Sequence, residues 1–267
     1  MAETSANPEK RPPREPGSPT GGPTVDITIP VYNEEEALPR TIVILTEYLR
    51  DHLSNPWQIV IADNASTDNT RAVSEMLCER YPGVNYLRIP QKGRGRALRT
   101  AWLDSQADIV SYMDADLSTD LSHFPQLIQS IESGNHIAVG SRLSKDSQVR
   151  RGFKREFISR GYNLLINAMF FTGLPDAQCG FKALTRSAAE AIVPNIKNNN
   201  WFFDTELLVI AAKRGFNIAS VPVKWTDDPT STVNVAGTAM EDVKGLLRLR
   251  FGGVPRVEVP AAPSPEQ

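Results

Sequence analysis

The chain lacks the residues that would tie it to an oxidising compartment, a zinc centre or a membrane-spanning helix. Two cysteines, Cys78 and Cys179, in 267 residues are too few for a disulfide framework. Three scattered histidines cannot build a zinc site. The longest apolar stretch, Leu164 to Leu174, is broken by Asn167, Thr172 and Gly173, well short of the ~20 residues that cross a bilayer. The N-terminus has no apolar core of a secretory signal. A formal net charge of −2 provides no global field to draw nucleic acid. Neither a Walker loop nor a Gly-x-Ser-x-Gly elbow occurs. These absences leave a soluble or membrane-peripheral cytoplasmic protein with no nucleic-acid partner.

Residues 1–23 and 253–267 carry few large apolar side chains and are expected as disordered tails. Between them, residues 24–252 form one domain with ample material for a core. Val25–Val31, Trp57–Ala62, Val84–Ile89, Asp108–Met113 and His136–Gly140 read as buried strands, with helical spacing between them. Strands separated by helices of this length predict βαβ units, hence a mainly parallel twisted α/β sheet with helices on both faces. Helical patterns then cover about 153–172, 186–193, 202–214 and 236–250, with a strand at Ile218–Val223.

Asp114-Ala115-Asp116 is the only Asp-x-Asp in the chain and closes an apolar strand. Two carboxylates at a strand's C-terminal end offer hard oxygen ligands to a divalent cation, at the end of an α/β sheet where ligands bind. An isolated Asp-x-Asp can equally be a polar turn. The first strand ends in Pro30-Val31-Tyr32-Asn33-Glu34, an aromatic and a carboxylate suited to a base and a ribose. Three acids also suit a helix start. Asp63, at the end of the second strand, is placed to read a base edge, before Ser66, Thr67 or Asp68 caps the next helix. Lys92-Gly93-Arg94-Gly95-Arg96 opens a helix with glycines and cations, a phosphate approach or a solvated basic loop. Seven basic and two acidic residues lie between Arg142 and Arg160. There Arg150, Arg151, Lys154, Arg155 and Arg160 flank an apolar helix, which is either a lipid-phosphate element at a membrane surface or a core helix with a charged outer face. Asp176 to Lys182 and Trp201 to Glu206 are polar groups set among apolar ones. Asp204 and Glu206, two apart, point to different helix faces.

In order and spacing, the Pro-x-Tyr-Asn-Glu strand end, Asp63 to Thr70, Gly93 to Arg99, Asp-Ala-Asp and Gly140-Ser141-Arg142 resemble the family 2 inverting glycosyltransferases of GT-A fold. Within them the chain is similar to the polyprenyl-phosphate sugar synthases, nearest the glucose-type and actinobacterial branch. The resemblance covers about residues 25–250. It implies a GT-A sheet with a C-terminal amphipathic helical part, and a nucleotide held by Pro30, Tyr32, Glu34 and Asp63, with Arg94 beside them. It also implies Mg²⁺ or Mn²⁺ and the diphosphate at Asp114 and Asp116, with Asp116 the direct ligand, and an acceptor phosphate at Arg142, Arg155 and Ser159. Asp176 would orient sugar or acceptor. The implied partners are a nucleotide-sugar donor, a polyprenyl phosphate acceptor and the inner face of the plasma membrane. Relatives often carry transmembrane helices, so a separate flippase-like membrane protein is a further expected partner. Three positions depart from the family: Ser118 where Gln is common, Arg94 where Lys is common, and Thr232 after Ser231 where a cation is usual. A soluble phosphorylated acceptor, a non-catalytic nucleotide-binding partner of a membrane protein, and nucleotidyl transfer are the rival expectations. The last lacks its glycine-rich opening here.

Overall fold

The computed structural model describes residues 22–150, 153–174, 176–226 and 235–263, with backbone alone for 150, 153–155 and 235–237. The expectations placed on the side chains of Arg150, Arg151, Lys154 and Arg155, and on Ser231 and Thr232, lie outside these. Five strands and their helices alternate as the sequence predicts: β1 (Val25–Val31), α1 (Leu38–His52), β2 (Trp57–Asn64), α2 (Thr70–Arg80), β3 (Val84–Ile89), α3 (Arg94–Asp104), β4 (Ile109–Met113), α4 (Phe124–Glu132) and β5 (Ile137–Ser141). After them come β6 (Gln148–Arg150), α5 (Phe153–Phe170), β7 (Phe181–Thr185), α6 (Arg186–Ile192), α7 (Phe203–Arg214), β8 (Ile218–Pro222), β9 (Lys224–Thr226) and α8 (Val235–Gly252).

The main sheet has seven strands in the order β3-β2-β1-β4-β7-β5-β8. β1, β2, β3 and β4 run parallel, and β5 pairs parallel with β8. β7 runs antiparallel between β4 and β5, and was not expected from the sequence. Its second residue, Lys182, is fully buried. A charge in a five-residue run reads as loop unless acceptors are waiting inside. The small β6–β9 pair was likewise unread, each strand being three residues long.

β1, β4 and β5 are buried almost throughout, as strands covered on both faces must be. Pro39 and Pro125 start α1 and α4, where the missing N–H costs nothing. α7 stops at Gly215, φ +85°, a left-handed position that glycine takes without a Cβ penalty. The chain passes from β1 outward to β2 and β3, then crosses back to β4 on β1's other side. That reversal is the switch point at which α/β sheets bind ligands. It places the ends of β1 and β4 side by side.

Residues 253–263, within the stretch expected as a disordered tail, are fastened to the body. Val254 and Val257 pack on the core, and Arg214 donates to the carbonyls of Val254 and Pro255. His136 Nδ1 accepts the Asn217 N–H at 3.0 Å. Its Nε2 therefore carries the proton and donates to the Pro260 carbonyl at 2.9 Å. Few apolar residues suffice where two side chains cap the carbonyls.

Candidate active site

At the end of β1, Asn33 takes a positive φ of 57°. Its N–H donates to Ser66 Oγ at 2.9 Å, and its side chain accepts the Thr67 N–H at 2.8 Å. Asn64 donates to the Val31 carbonyl and accepts the Gly93 N–H, joining three strand-end loops. Tyr32 is half-buried with the Lys92 ammonium 3.5 Å from its ring centre. Glu34 lies beside it, its N–H held by Thr70 Oγ1 at 2.8 Å. Asp63 is fully buried. Its carboxylate accepts from the Ser66 N–H, the Tyr86 hydroxyl and Arg88, at 2.8, 2.7 and 2.7 Å. It lies beneath the β1 loop and fixes Tyr86 and the half-exposed Arg88, where the sequence suggested an open carboxylate.

The glycine loop does something other than cradle phosphate in this conformation. A Cβ on Gly93 would lie 2.5 Å from the Asn199 carbonyl, and one on Gly95 2.5 Å from Phe203 Cβ. The Arg96 N–H at the start of α3 donates to that same Asn199 carbonyl at 2.9 Å. The glycines thus seat the segment 199–203, and a protein carbonyl caps the helix.

Asp114 is partly exposed and Asp116 exposed. Thr41 Oγ1 donates to the Ala115 carbonyl at 2.6 Å, and the Ser118 N–H to Asp116 Oδ1 at 2.9 Å. Asp114 Oδ1 accepts from Arg94 Nη2 at 2.5 Å, and Arg94 Nη1 reaches Asp204 Oδ2 at 2.5 Å. A Cβ on Gly180 would fall 1.8 Å from Asp114 Oδ2, so the residue must be glycine for this carboxylate to stand where it does. Arg142 and Asp176, predicted as separate site residues, form one bidentate pair: Nε to Oδ2 at 2.8 Å and Nη2 to Oδ1 at 3.0 Å, with the Arg142 backbone N–H adding a third bond. Burial alone would raise the Asp176 carboxyl, but the Arg142 guanidinium holds it below the ordinary carboxylate range. Arg142 also feels Asp114 and lies 5.6 Å from the Trp225 ring. Cys179 between them is pushed up to about 12 by burial and is inert as a nucleophile.

Asp204 and Glu206 face apart as predicted. Asp204 meets Arg94, Lys182 and Tyr112, while Glu206 accepts the N–H groups of Lys197 and Asn198 and pairs with Arg248. Ser159 is half-buried on α5. The segment 176–182 is the hub that sequence reasoning saw only as a cluster: Asp176 serves Arg142, Gly180 serves Asp114 and Lys182 serves Asp204. The alternation of Asp, Gly and Lys with apolar residues was the available signal.

α5 presents an exposed apolar face, one of the two arrangements the sequence left open. Phe157, Ile158, Leu164 and Leu165 are 72, 55, 70 and 44% exposed, and their spacing sets them on one side of the helix. On α8, Met240, Val243, Leu247 and Phe251 are also exposed. The inner face of α5 holds the site. Tyr162 hydroxyl bonds Thr205, and Asn163 donates to the Leu174 carbonyl and accepts the Ala177 N–H, which fixes the loop carrying Asp176.

A mainly parallel sheet with two carboxylates at its switch point defines a GT-A-type transferase domain. The chain belongs to glycosyl transferase family 2, whose family model matches residues 26–193. It is 35% identical over 225 residues to the dolichyl-phosphate beta-glucosyltransferase ALG5D of Trichomonas vaginalis, covering 80% of this chain and 69% of that protein. It is 32% identical over 228 residues to the glycosyltransferase AglD of Haloferax volcanii, covering 84% of this chain but 36% of that longer protein. Against the human dolichyl-phosphate beta-glucosyltransferase the identity is 30%, over 85% of this chain and 75% of the relative. The same fold occurs in glucosyl-3-phosphoglycerate synthase of Mycobacterium tuberculosis in complex with Mn²⁺, uridine-diphosphate and phosphoglyceric acid. Its TM-score is 0.65 at 19% identity, over 91% of this chain and 86% of that one.

Proposed function

We propose that this domain transfers one sugar from a nucleotide-sugar, with a UDP-sugar favoured, to a polyprenyl monophosphate at the inner membrane surface, with inversion at the anomeric carbon. The observation that carries the lipid acceptor is α5, whose inner face holds the loop with Asp176, the partner of Arg142, while its outer face is apolar and exposed among the described residues. The names of the dolichyl-phosphate relatives support glucose and the lipid. N-acetylgalactosamine, or mannose from GDP-mannose, are the competing donors.

Pro30, Tyr32 and Glu34 line the nucleotide side, with Asp63 beneath them and Arg94 behind the carboxylates. Among the described residues no set of three or more His, Cys, Asp or Glu could hold a metal. Two carboxylates, completed by diphosphate oxygens and water, nonetheless suit Mg²⁺ or Mn²⁺, which are commonly held this way. Asp116, with Asp114 beside it, would hold the ion, which would neutralise a leaving nucleoside diphosphate. An acceptor phosphomonoester, with a second pKa near ~6 as in phosphoserine, is already ionised at neutral pH. Its oxygen attacks the anomeric carbon, the new carbon–oxygen bond forms as the bond to the diphosphate breaks, and no proton need be removed. Arg142, Arg155 and Ser159 align that phosphate and offset repulsion from the donor. Asp176 holds Arg142 in orientation. In a test with Mn²⁺, polyprenyl phosphate and labelled UDP-glucose, UDP-N-acetylgalactosamine or GDP-mannose, label should enter the organic phase with one donor. Nucleotide binding without transfer from any donor would overturn the proposal in favour of a soluble acceptor or a non-catalytic role.

A further inference from the structure

Behind the Asp-Ala-Asp turn lies a line of alternating charges. Lys182 Nζ, fully buried on β7, donates to the Cys179 carbonyl at 2.6 Å, to Asp204 Oδ1 at 2.8 Å and to the Tyr112 hydroxyl at 3.3 Å. All three of its protons are thereby used. Asp204, 3% exposed, also accepts from the Tyr112 hydroxyl and from Arg94 Nη1. Arg94 Nη2 ends the line on Asp114 Oδ1. The guanidinium is clamped between the rings of Tyr112 and Trp201, its Cζ 4.9 Å from each centre. Desolvation works against the charged forms. Even so, Lys182 and Arg94 hold the Asp204 carboxyl low, and Asp114, with Tyr112 and Asp204, holds Arg94 high, so both stay ionised.

Burying such a line is a poor way to gain stability, since desolvation consumes most of the attraction. Its one partly exposed end is Asp114. We propose that Lys182, Asp204 and Arg94 are positioning residues that hold Asp114 in one orientation beside Asp116, so that the two carboxylates meet the metal and diphosphate in a fixed arrangement. This inference rests on the reading of Asp114 and Asp116 as the metal–diphosphate pair. Oδ1 of Asp114 is committed to Arg94, and Gly180 packs against Oδ2. Arg94 is suited to the task because its two terminal nitrogens serve two different carboxylates. Lysine has one nitrogen and no plane to clamp. It could not bridge Asp204 to Asp114.

The test is Mn²⁺ binding in the presence of UDP, followed by electron paramagnetic resonance of free Mn²⁺ and by tryptophan fluorescence, in wild type, Arg94→Lys, Asp204→Asn and the double variant. Thermal melts run alongside. Arg94→Lys keeps the charge and should weaken Mn²⁺–UDP binding about tenfold. Asp204→Asn should weaken it comparably, although Asp204 is not itself a proposed ligand. The double variant should lose little more than the worse single, as members of one chain do. Affinity equal to wild type in both single variants, with only the melting point lowered, would overturn the inference and leave the metal–diphosphate reading intact. So would fully additive losses. A wild-type chain that binds Mn²⁺ with none of UDP, GDP or their sugars would instead sink that reading, and the inference with it.

Discussion

Phe157→Ser with Leu164→Ser should detach the protein from membranes without unfolding it. The two side chains are 72 and 70% exposed and stand one above the other on the outer face of α5. Fully burying a Phe or Leu side chain is worth about 1.5–3 kcal/mol. With seven tenths of each surface still open, insertion into a bilayer interface contributes roughly 1–2 kcal/mol per residue. Losing both costs roughly 2–4 kcal/mol, about 30-fold to several-hundred-fold in partitioning at ~1.4 kcal/mol per decade. Because water already surrounds these side chains, the unfolding free energy should move by no more than about 0.5 kcal/mol. The assay is flotation with vesicles of neutral and anionic phospholipid, paired with urea unfolding and UDP binding. Unchanged flotation would refute the reasoning. A drop of several kcal/mol in stability would refute it differently, by showing that α5 is covered by protein.

Asp176→Ala leaves Arg142 buried and unpaired and should cost about 3–5 kcal/mol by urea unfolding at neutral pH. The Asp176 carboxyl is depressed in the fold, so its contribution is present above about pH 4 and lost as pH falls through the folded value. The gap between wild type and variant should therefore close in acid. Asp242 behaves oppositely: burial first, then the charges of Glu241 and Asp204, push its carboxyl up to about 6, against hydrogen bonds from Tyr162 and Gln178. Among the described residues its Oδ1 has no hydrogen-bond partner. A raised carboxyl stabilises below about pH 4 and loses that contribution as pH rises through about 6, a fall of roughly 1–3 kcal/mol. Asp242→Asn should flatten this slope in pH-dependent urea titrations, and an unaltered slope would assign it elsewhere. Gly180→Ala must displace the Asp114 carboxylate, so it should weaken Mn²⁺–UDP binding by about tenfold or more while the far-ultraviolet circular dichroism is retained.

The parallel half of the sheet was legible because its strands are unbroken apolar runs and its helices have regular spacing. β7 was not, since a lysine as its second residue looks like a loop residue until Asp204, Cys179 and Tyr112 are seen around Lys182. The sequence showed Arg142 and Asp176 as candidates but not as partners, because their pairing joins positions 34 apart through tertiary contact. Gly93 and Gly95 were read correctly as points of close approach, yet the approaching group is the segment 199–203. Neither composition nor period could reveal that. The apolar and basic character of α5 was visible, whereas which of its faces meets water depends on α7 and α8 packing against the other.

The proposed reaction joins a lipid phosphate acceptor to a sugar from a metal-bound donor at Asp116. The most direct measurement is the rate of label transfer from UDP-glucose to polyprenyl phosphate and, separately, to a soluble phosphorylated acceptor such as phosphoglycerate, with wild type and Asp116→Ala. The account predicts transfer to the lipid alone, lost in Asp116→Ala. Transfer to the soluble acceptor without lipid, or transfer to lipid that survives Asp116→Ala, would contradict it.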